Sequence, residues 1–304
     1  MIYLTYNIPY NLYLGSLKEA ETNAILNYCK SADIPCKVAS PWDGFCNESS
    51  PTAFINMNGW ANTNHQRLAR RYELQGSKYL NSIRDTIIAD DKFSCYLELT
   101  HNEIPMPKTM DLNQLFGISG NAKRQFTTRV SDYIGFPCVV KVSNGGQGNG
   151  IYLLNNSNEF EDWYNMLAWT NPKFGYNETG VNFVVQKFIA KSYGKALRVY
   201  ILDDHCLGTI YRENLDHWKV NRILDGSSIA RIYDDNNGVV EMCKKALRVL
   251  NLRFGACDVL FNDNEFLINE VNSSPGFIIP NKECIVTLYP DMNLPKMIID
   301  ALLV

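Results

Sequence analysis

One stretch near the C-terminus constrains this chain more than any other: residues 254–276, FGACDVLFNDNEFLINEVNSSPG. Two apolar runs flank the turn-forming cluster Asn262, Asp263, Asn264, which predicts a β-hairpin. Three oxygen-bearing side chains, Asp258, Glu270 and Asn272, interrupt those runs. Side chains alternate faces along a strand, so Glu270 and Asn272, two apart, point the same way and can share one cation. Asp258 joins them only if it lies opposite Glu270. A three-residue loop, Asp263 to Glu265, gives that register, whereas a two- or four-residue loop turns it away. All-oxygen donors with no His or Cys nearby suit Mg2+ better than Zn2+, and so sparse a set leaves coordination positions for water and substrate phosphates. Taken alone, the pattern also fits an ordinary hairpin with acidic residues on its wet face.

Such a hairpin needs a sheet to join and a core to cover it. The 304 residues, 46% hydrophobic and 20% charged, supply both, with room for two or three modest domains. Formal net charge is −3, and the densest basic group, Arg67 with Arg70 and Arg71, is spaced like one solvated face of a helix. Nucleic acid is therefore not an expected partner. No uncharged run approaches the roughly 18 to 20 residues that span a bilayer, so no membrane is expected either. Nine cysteines are scattered without a C-x-x-C pair, and Cys138, Cys206, Cys243 and Cys257 sit in apolar runs as small buried hydrophobes. With no basic region and apolar core at the N-terminus, the expectation is a soluble cytoplasmic protein with reduced thiols and no cysteine nucleophile.

Met1 to Ile8, Lys37 to Ala39 and Ala53 to Asn56 read as strands, and Ser16 with Glu19 forms a capping box ahead of a helix between the first two. An Arg-rich helix ending near Gly76 follows. This is a small α/β unit in which Asn56, Asn58 and Asn62 serve as turn residues or, alternatively, meet a polar substrate. Arg84 to Leu99 reads as one helix containing Asp91 and Lys92, and Ser119 to Tyr133 as another. The strand FPCVVKV ends at Lys141 and runs into SNGGQGNG, with Gly145, Gly146, Gly148 and Gly150. Such glycines free backbone N–H groups to point at phosphate oxygens. Because IYLL at 151–154 reads as a strand rather than a helix, the loop is a flap between strands and not a dinucleotide-binding turn. VNFVVQKFI, Ala196 to Ile201 and Cys206 to Arg212 are further strands, with Asp203, Asp204 and His205 turning between the last two. Arg198 and Arg212 can each bind phosphate or carboxylate in a fork, or form structural ion pairs. Asn237 to Leu250 is an amphipathic helix and Asn293 to Leu303 a terminal one.

Lys141 at a strand end, the glycine flap, VVQKFI, Arg198, Arg212, Asp258 and EVNSSPG, in that order and spacing, resemble the ATP-grasp superfamily, most closely ligases related to RimK. The likeness covers about residues 79–304. It implies a three-domain α/β (α+β) ATP-grasp fold, with an acceptor-side N-terminal domain at 1–83, a central subdomain at 84–180 and a C-terminal subdomain at 181–304. ATP is then clamped between the last two, with Lys92 and Lys141 on its phosphates under Gly145, Gly146 and Gly148, and with Gln186, Lys187, Phe188 and Ile189 as the hinge whose backbone reads adenine. The resemblance further implies two Mg2+ ions on Asp258, Glu270 and Asn272, replaceable by Mn2+, and catalytic roles for Arg198, Arg212 and Asn221. The chain departs from the pattern at Lys187, Lys191 and Ala196, where acids are usual around the nucleotide. Where RimK-like enzymes read N-x-H-R-G-G it has NRILDGSS, keeping Asn221 and Gly226 but not the His and Arg.

The activity implied is an ADP-forming carboxylate–amine ligase acting through an acyl phosphate. It joins an amino acid, glutamate among the candidates, to an amino acid, peptide or protein acceptor, and homo-oligomers are common among such proteins. Two other readings are a ligase that makes side-chain amide or ester links within a precursor peptide and a nucleotide-binding module without chemistry. The retained arginines and metal-binding set argue against the module.

Overall fold

The computed structural model of the chain describes residues 1–6, 17–39, 50–57, 63–112, 121–145, 150–170, 182–220, 228–234, 238–263, 265–278 and 284–304. Three sheets organise them. The first is parallel, with β1 (Ile2–Thr5), β2 (Cys36–Ala39), β3 (Ala53–Asn56) and β4 (Lys78–Tyr79) in the order β2-β1-β3-β4. β1 is buried along its whole length, as a strand covered on both faces must be. Helix α1 (Leu17–Ser31) links β1 to β2, and α2 (Thr63–Leu74) links β3 to β4. Leu68, Ala69 and Tyr72 of α2 pack on Tyr3 and Phe54.

The second sheet has the order β5-β8-β6-β7 and is antiparallel, built from β5 (Thr109–Asp111), β6 (Cys138–Val142), β7 (Ile151–Leu154) and β8 (Phe183–Lys187). Helices over 121–133 and 157–170 supply Val130, Phe160 and Trp163 to its core. The third sheet, also antiparallel, has the order β11-β10-β9-β12-β13: β9 (Lys195–Leu202), β10 (His205–Asn214), β11 (Ser228–Ile232), β12 (Phe254–Asn262) and β13 (Glu265–Asn272). Its two faces separate by period-two alternation. Leu197, Val199, Ile201, Cys257 and Val259 pack against Val239, Cys243, Ala246 and Leu247 of the helix over 239–249, which leaves Arg198 and Asp258 on the other face.

The segment expected to be one helix over Arg84–Leu99 is two, α3 (Ile83–Asp90) and α4 (Lys92–His101). Asp91 between them is extended, and its carboxylate accepts a hydrogen bond from the Ser94 amide at 2.8 Å, the N-cap geometry that aspartate favours over a helix interior. Both helices pack on the third sheet through Ala89, Cys95 and Leu99. β8, at the start of the segment expected to be C-terminal, pairs within the second sheet. The division at residues 83 and 180 is therefore a proposal about folding units and not a description of the sheets. Cys206 is exposed rather than buried, because it lies at the open end of β10 beside the turn at Asp203 and Asp204. Among the described residues no helix is long and apolar enough to cross a membrane.

Candidate active site

The polar face of the third sheet carries a row of charge. Arg198 lies directly opposite Asp258 across β9 and β12, and Asp258 directly opposite Glu270 across β12 and β13. The facing of Asp258 and Glu270 agrees with the register expected from a three-residue turn, but its cause differs. β12 and β13 close with Asn262 paired to Glu265, leaving two residues between them, and the extra residue enters as a β-bulge at Asn269. The bulge was readable in LINEVN, where two successive polar residues, Asn269 and Glu270, fall between the buried Ile268 and Val271. It brings Asn269 onto the same side as Glu270, and sequence reasoning missed this residue.

Asp258 is 4% exposed and receives a two-pronged hydrogen bond from Arg198, Nε to Oδ1 at 2.6 Å and Nη2 to Oδ2 at 2.5 Å. Burial pushes its carboxyl up, but the charge and hydrogen bonds of Arg198, with the charge of Arg212, outweigh burial and hold it at about 2. Arg212 Nη1 lies 4.0 Å from Asp258 Oδ1 and is itself buried. Burial and the neighbouring Arg198 charge lower its pKa. Both effects would be relieved by an anion, so Arg212 is a buried cation placed to receive one.

Two lysines face this row from the second sheet and from α4. Lys141 is buried, and Nζ donates to Gln186 Oε1 at 2.6 Å and to Asn269 Oδ1 at 2.7 Å. Burial lowers its pKa to about 8, with the Glu270 charge opposing. Lys92, the first residue of α4, donates from Nζ to the Gly145 carbonyl at 2.6 Å and stands 3.7 Å from Glu270 Oε2. Its backbone amide donates to Ser143 O at 3.2 Å, and the Ser143 hydroxyl donates to Asp91 Oδ2 at 2.7 Å. The helix break thus anchors the base of the flap. Four cations, Lys92, Lys141, Arg198 and Arg212, gather around Asp258 and Glu270, with the buried Asp90 near Lys92 and Glu270, a cationic excess suited to a polyphosphate.

Gln186, expected in the hinge, uses its side chain to orient Lys141, while its Nε2 donates to Thr109 Oγ1 at 3.1 Å. The amides of Lys187 and Phe188 donate to the carbonyls of Lys108 at 2.9 Å and Pro137 at 3.4 Å. A cavity of about 340 Å3 lies beside this segment, lined by Lys187, Phe188, Ile189 and Leu267. Asn81 was not foreseen as structural. Its amide nitrogen donates to the carbonyls of Phe254 and Ser273 at 2.6 and 2.7 Å, and its oxygen accepts from the amides of Arg253 and Phe254 at 2.9 and 3.1 Å. Gly146, Gly148, Asn221, Asn58 and Asn62 lie outside the described residues; Asn56 ends β3, where its carbonyl accepts from the Ser274 hydroxyl at 3.2 Å.

Among the described residues no group of three His, Cys, Asp or Glu forms a complete protein-only metal site. The donors present are Asp258 and Glu270 side by side with Asn272 two residues on, and an all-oxygen set of this kind would suit Mg2+, leaving further positions for phosphate and water.

A model of the RimK-like ATP-grasp domain matches residues 89–298. N-acetylaspartylglutamate synthase A of Mus musculus is 22% identical over 219 residues, 71% of this chain and 53% of that protein. A probable alpha-L-glutamate ligase of Rhodopirellula baltica is 25% identical over 210 residues, 69% of this chain and 47% of that one. The chain thus spans about half the length of these relatives. The crystal structure of D-alanine–D-alanine ligase from Bacillus anthracis has the same fold, with a TM-score of 0.73 at 17% identity, covering 99% of this chain and 97% of that one. A RimK domain ATP-grasp protein from Sphaerobacter thermophilus superposes with a TM-score of 0.69 at 14% identity over 100% of this chain and 99% of that one. With the family model covering more than two thirds of its length, the chain belongs to the RimK-like ATP-grasp family.

Proposed function

We propose that the protein is an ATP-dependent, ADP-forming ligase that activates a carboxylate as an acyl phosphate and passes the acyl group to an amine. The observation that carries this reading is the row Arg198–Asp258–Glu270 with Arg212 beside it, facing Lys92 and Lys141. A carboxylate is a poor acyl donor because its leaving group is oxide. Attack of a carboxylate oxygen on the γ-phosphorus breaks the bond to ADP. The amine then attacks the carbonyl, loses a proton, and phosphate leaves.

The first step brings two anions together, and the cationic side chains reduce their repulsion. In this reading Lys92 and Lys141 hold the phosphates under the flap with Gly145, Gly146 and Gly148, and Gln186 to Ile189 flank the adenine. Arg212 and Arg198 bind the carboxylate and the transferred group, and Asn221 belongs to the same set on sequence grounds. Asp258, Glu270 and Asn272 would hold Mg2+, two ions in this proposal, which neutralises charge between the phosphates and the carboxylate.

The names of the relatives support glutamate as one of the joined amino acids, with an amino acid, peptide or protein as the other. The described cysteines are all free, which supports the cytoplasm as the site of action. Incubation with ATP, Mg2+, pools of amino acids and hydroxylamine tests the chemistry, because hydroxylamine converts an acyl phosphate to a hydroxamate. ADP with a hydroxamate is expected and identifies the donor. AMP would replace the mechanism by adenylation, and tight ATP binding without turnover under any acceptor would support a binding module instead.

A further inference from the structure

Asn269 bridges the second and third sheets at the charged site: its Oδ1, on β13, accepts from Lys141 Nζ, on β6, at 2.7 Å. An ammonium group only donates, so the oxygen of the Asn269 amide faces Lys141 and the nitrogen faces away. The same rule turns the Gln186 oxygen towards Lys141, and there the amide nitrogen is engaged, donating to Thr109 Oγ1 at 3.1 Å. Asn269 Nδ2 has no such acceptor. The bond to Lys141 is the one hydrogen bond of this side chain among the described residues. The residue is half-buried, and Nδ2 itself stays open to solvent. Lys141 uses two of its three protons on Gln186 and Asn269 and keeps one. This corner of the site therefore offers a ligand donors alone, one N–H of Lys141 and two of Asn269, with Glu270 next along the strand.

We propose that Asn269 contacts the nucleotide itself, its amide N–H donating to an oxygen of the phosphate that Lys141 binds. This rests on the nucleotide-binding reading above and adds to it a residue with a contact of its own. Phosphate oxygens only accept, whereas the edge of a base both donates and accepts, so a set made of donors alone matches the phosphate. Bulges beside functional sites re-aim side chains, and this one turns Asn269 to the side of Glu270. Two other roles fit the same contacts less well. A metal ligand would need Oδ1, which Lys141 already holds. A residue that served only to hold Lys141 would need no more than an acceptor. A carboxylate would grip the ammonium more tightly, yet it would set another negative charge against the phosphates. The neutral amide holds Lys141 by its oxygen, leaves the positive charge uncancelled and keeps its N–H groups for an anion.

The test is calorimetric titration of the full chain with ATP and with adenosine, each in the presence of Mg2+. N269A should bind ATP about tenfold more weakly and adenosine as the wild type does, with circular dichroism unchanged. The decisive comparison is made in K141M, where there is no ammonium left to orient. There N269A should still weaken ATP binding by about tenfold, because its own contact is lost. Equal affinities of K141M and K141M/N269A would show that Asn269 acts only through Lys141 and would overturn the proposal. N269D gives a second check, since aspartate still accepts from Lys141 but has no N–H to donate. It should lose at least as much as N269A, and wild-type affinity in N269D would also overturn the proposal. Equal losses for ATP and adenosine in N269A would move the contact to the base and refute the phosphate assignment. A wild type that binds no ATP would instead fell the nucleotide reading of the site, a result distinct from each of these.

Discussion

Replacing Arg198 with methionine isolates the interaction on which the charged row depends. Asp258 keeps its burial but loses both short hydrogen bonds, and Arg212 at 4.0 Å and the facing Glu270 remain. Its carboxyl ordinarily titrates near 3.8 and is held here at about 2, a difference that corresponds to about 2–3 kcal/mol at ~1.4 kcal/mol per pH decade. A carboxylate whose pKa is depressed in the folded state adds stability above its unfolded pKa and loses it as pH falls through the folded value. The wild type should therefore lose this contribution between about pH 4 and pH 2. In R198M the burial that Arg198 overcame dominates and raises the pKa, so the charged form becomes a penalty at neutral pH. Breaking a buried pair by removing one partner costs about 3–5 kcal/mol. Urea unfolding at pH 7 should show a loss of that order for R198M, a gap that narrows as the pH is lowered towards 4, and partial recovery in R198M/D258N, where residue 258 carries no stranded charge. If the losses of R198M and D258N simply add in the double variant, or the gap does not change with pH, the pairing inferred for Asp258 is wrong.

Three other perturbations probe separate parts of the site. Deleting Asn269 removes the bulge residue while leaving Glu270 free to stay opposite Asp258. Lys141 then loses a hydrogen bond to its charged group, worth about 1.5–3 kcal/mol, so the KM for ATP should rise by about tenfold or more with the fold intact by circular dichroism. Because burial lowers Lys141 to about 8, its charge is lost as pH rises through that value. ATP affinity by calorimetry should weaken between pH 7 and pH 9 in the wild type and stay flat in K141M. Asn81→Ala strands four backbone groups of residues 253, 254 and 273 and should lower stability by about 3 kcal/mol in urea unfolding.

The parts of the site legible in the sequence were those written in local period-two patterns. Glu270 and Asn272 are two apart on one strand, so their common face follows without tertiary information, whereas the facing of Asp258, Arg198 and Arg212 depends on strand pairing and on the bulge at Asn269. Lys141 and the flap glycines were marked by a strand end and a change in composition. The rest depends on what packs where. Asp91 reads as one polar residue inside a helical pattern, and only the approach of Ser143 turns it into both a cap and an anchor. Gln186 reads as a hinge residue, yet Lys141 lies near enough to claim its side chain.

Asn81 links places that the chain reaches at very different times. The carbonyls it binds lie 173 and 192 residues later, and the hairpin between them completes the charged row. During synthesis the amide must wait until the final hairpin emerges. Closing so long a loop is entropically expensive and is repaid only when both carbonyls and both amides are in place together. Assembly of the charged row and its locking onto the N-terminal unit would then be a single late event, and a chain stalled before residue 273 would have neither.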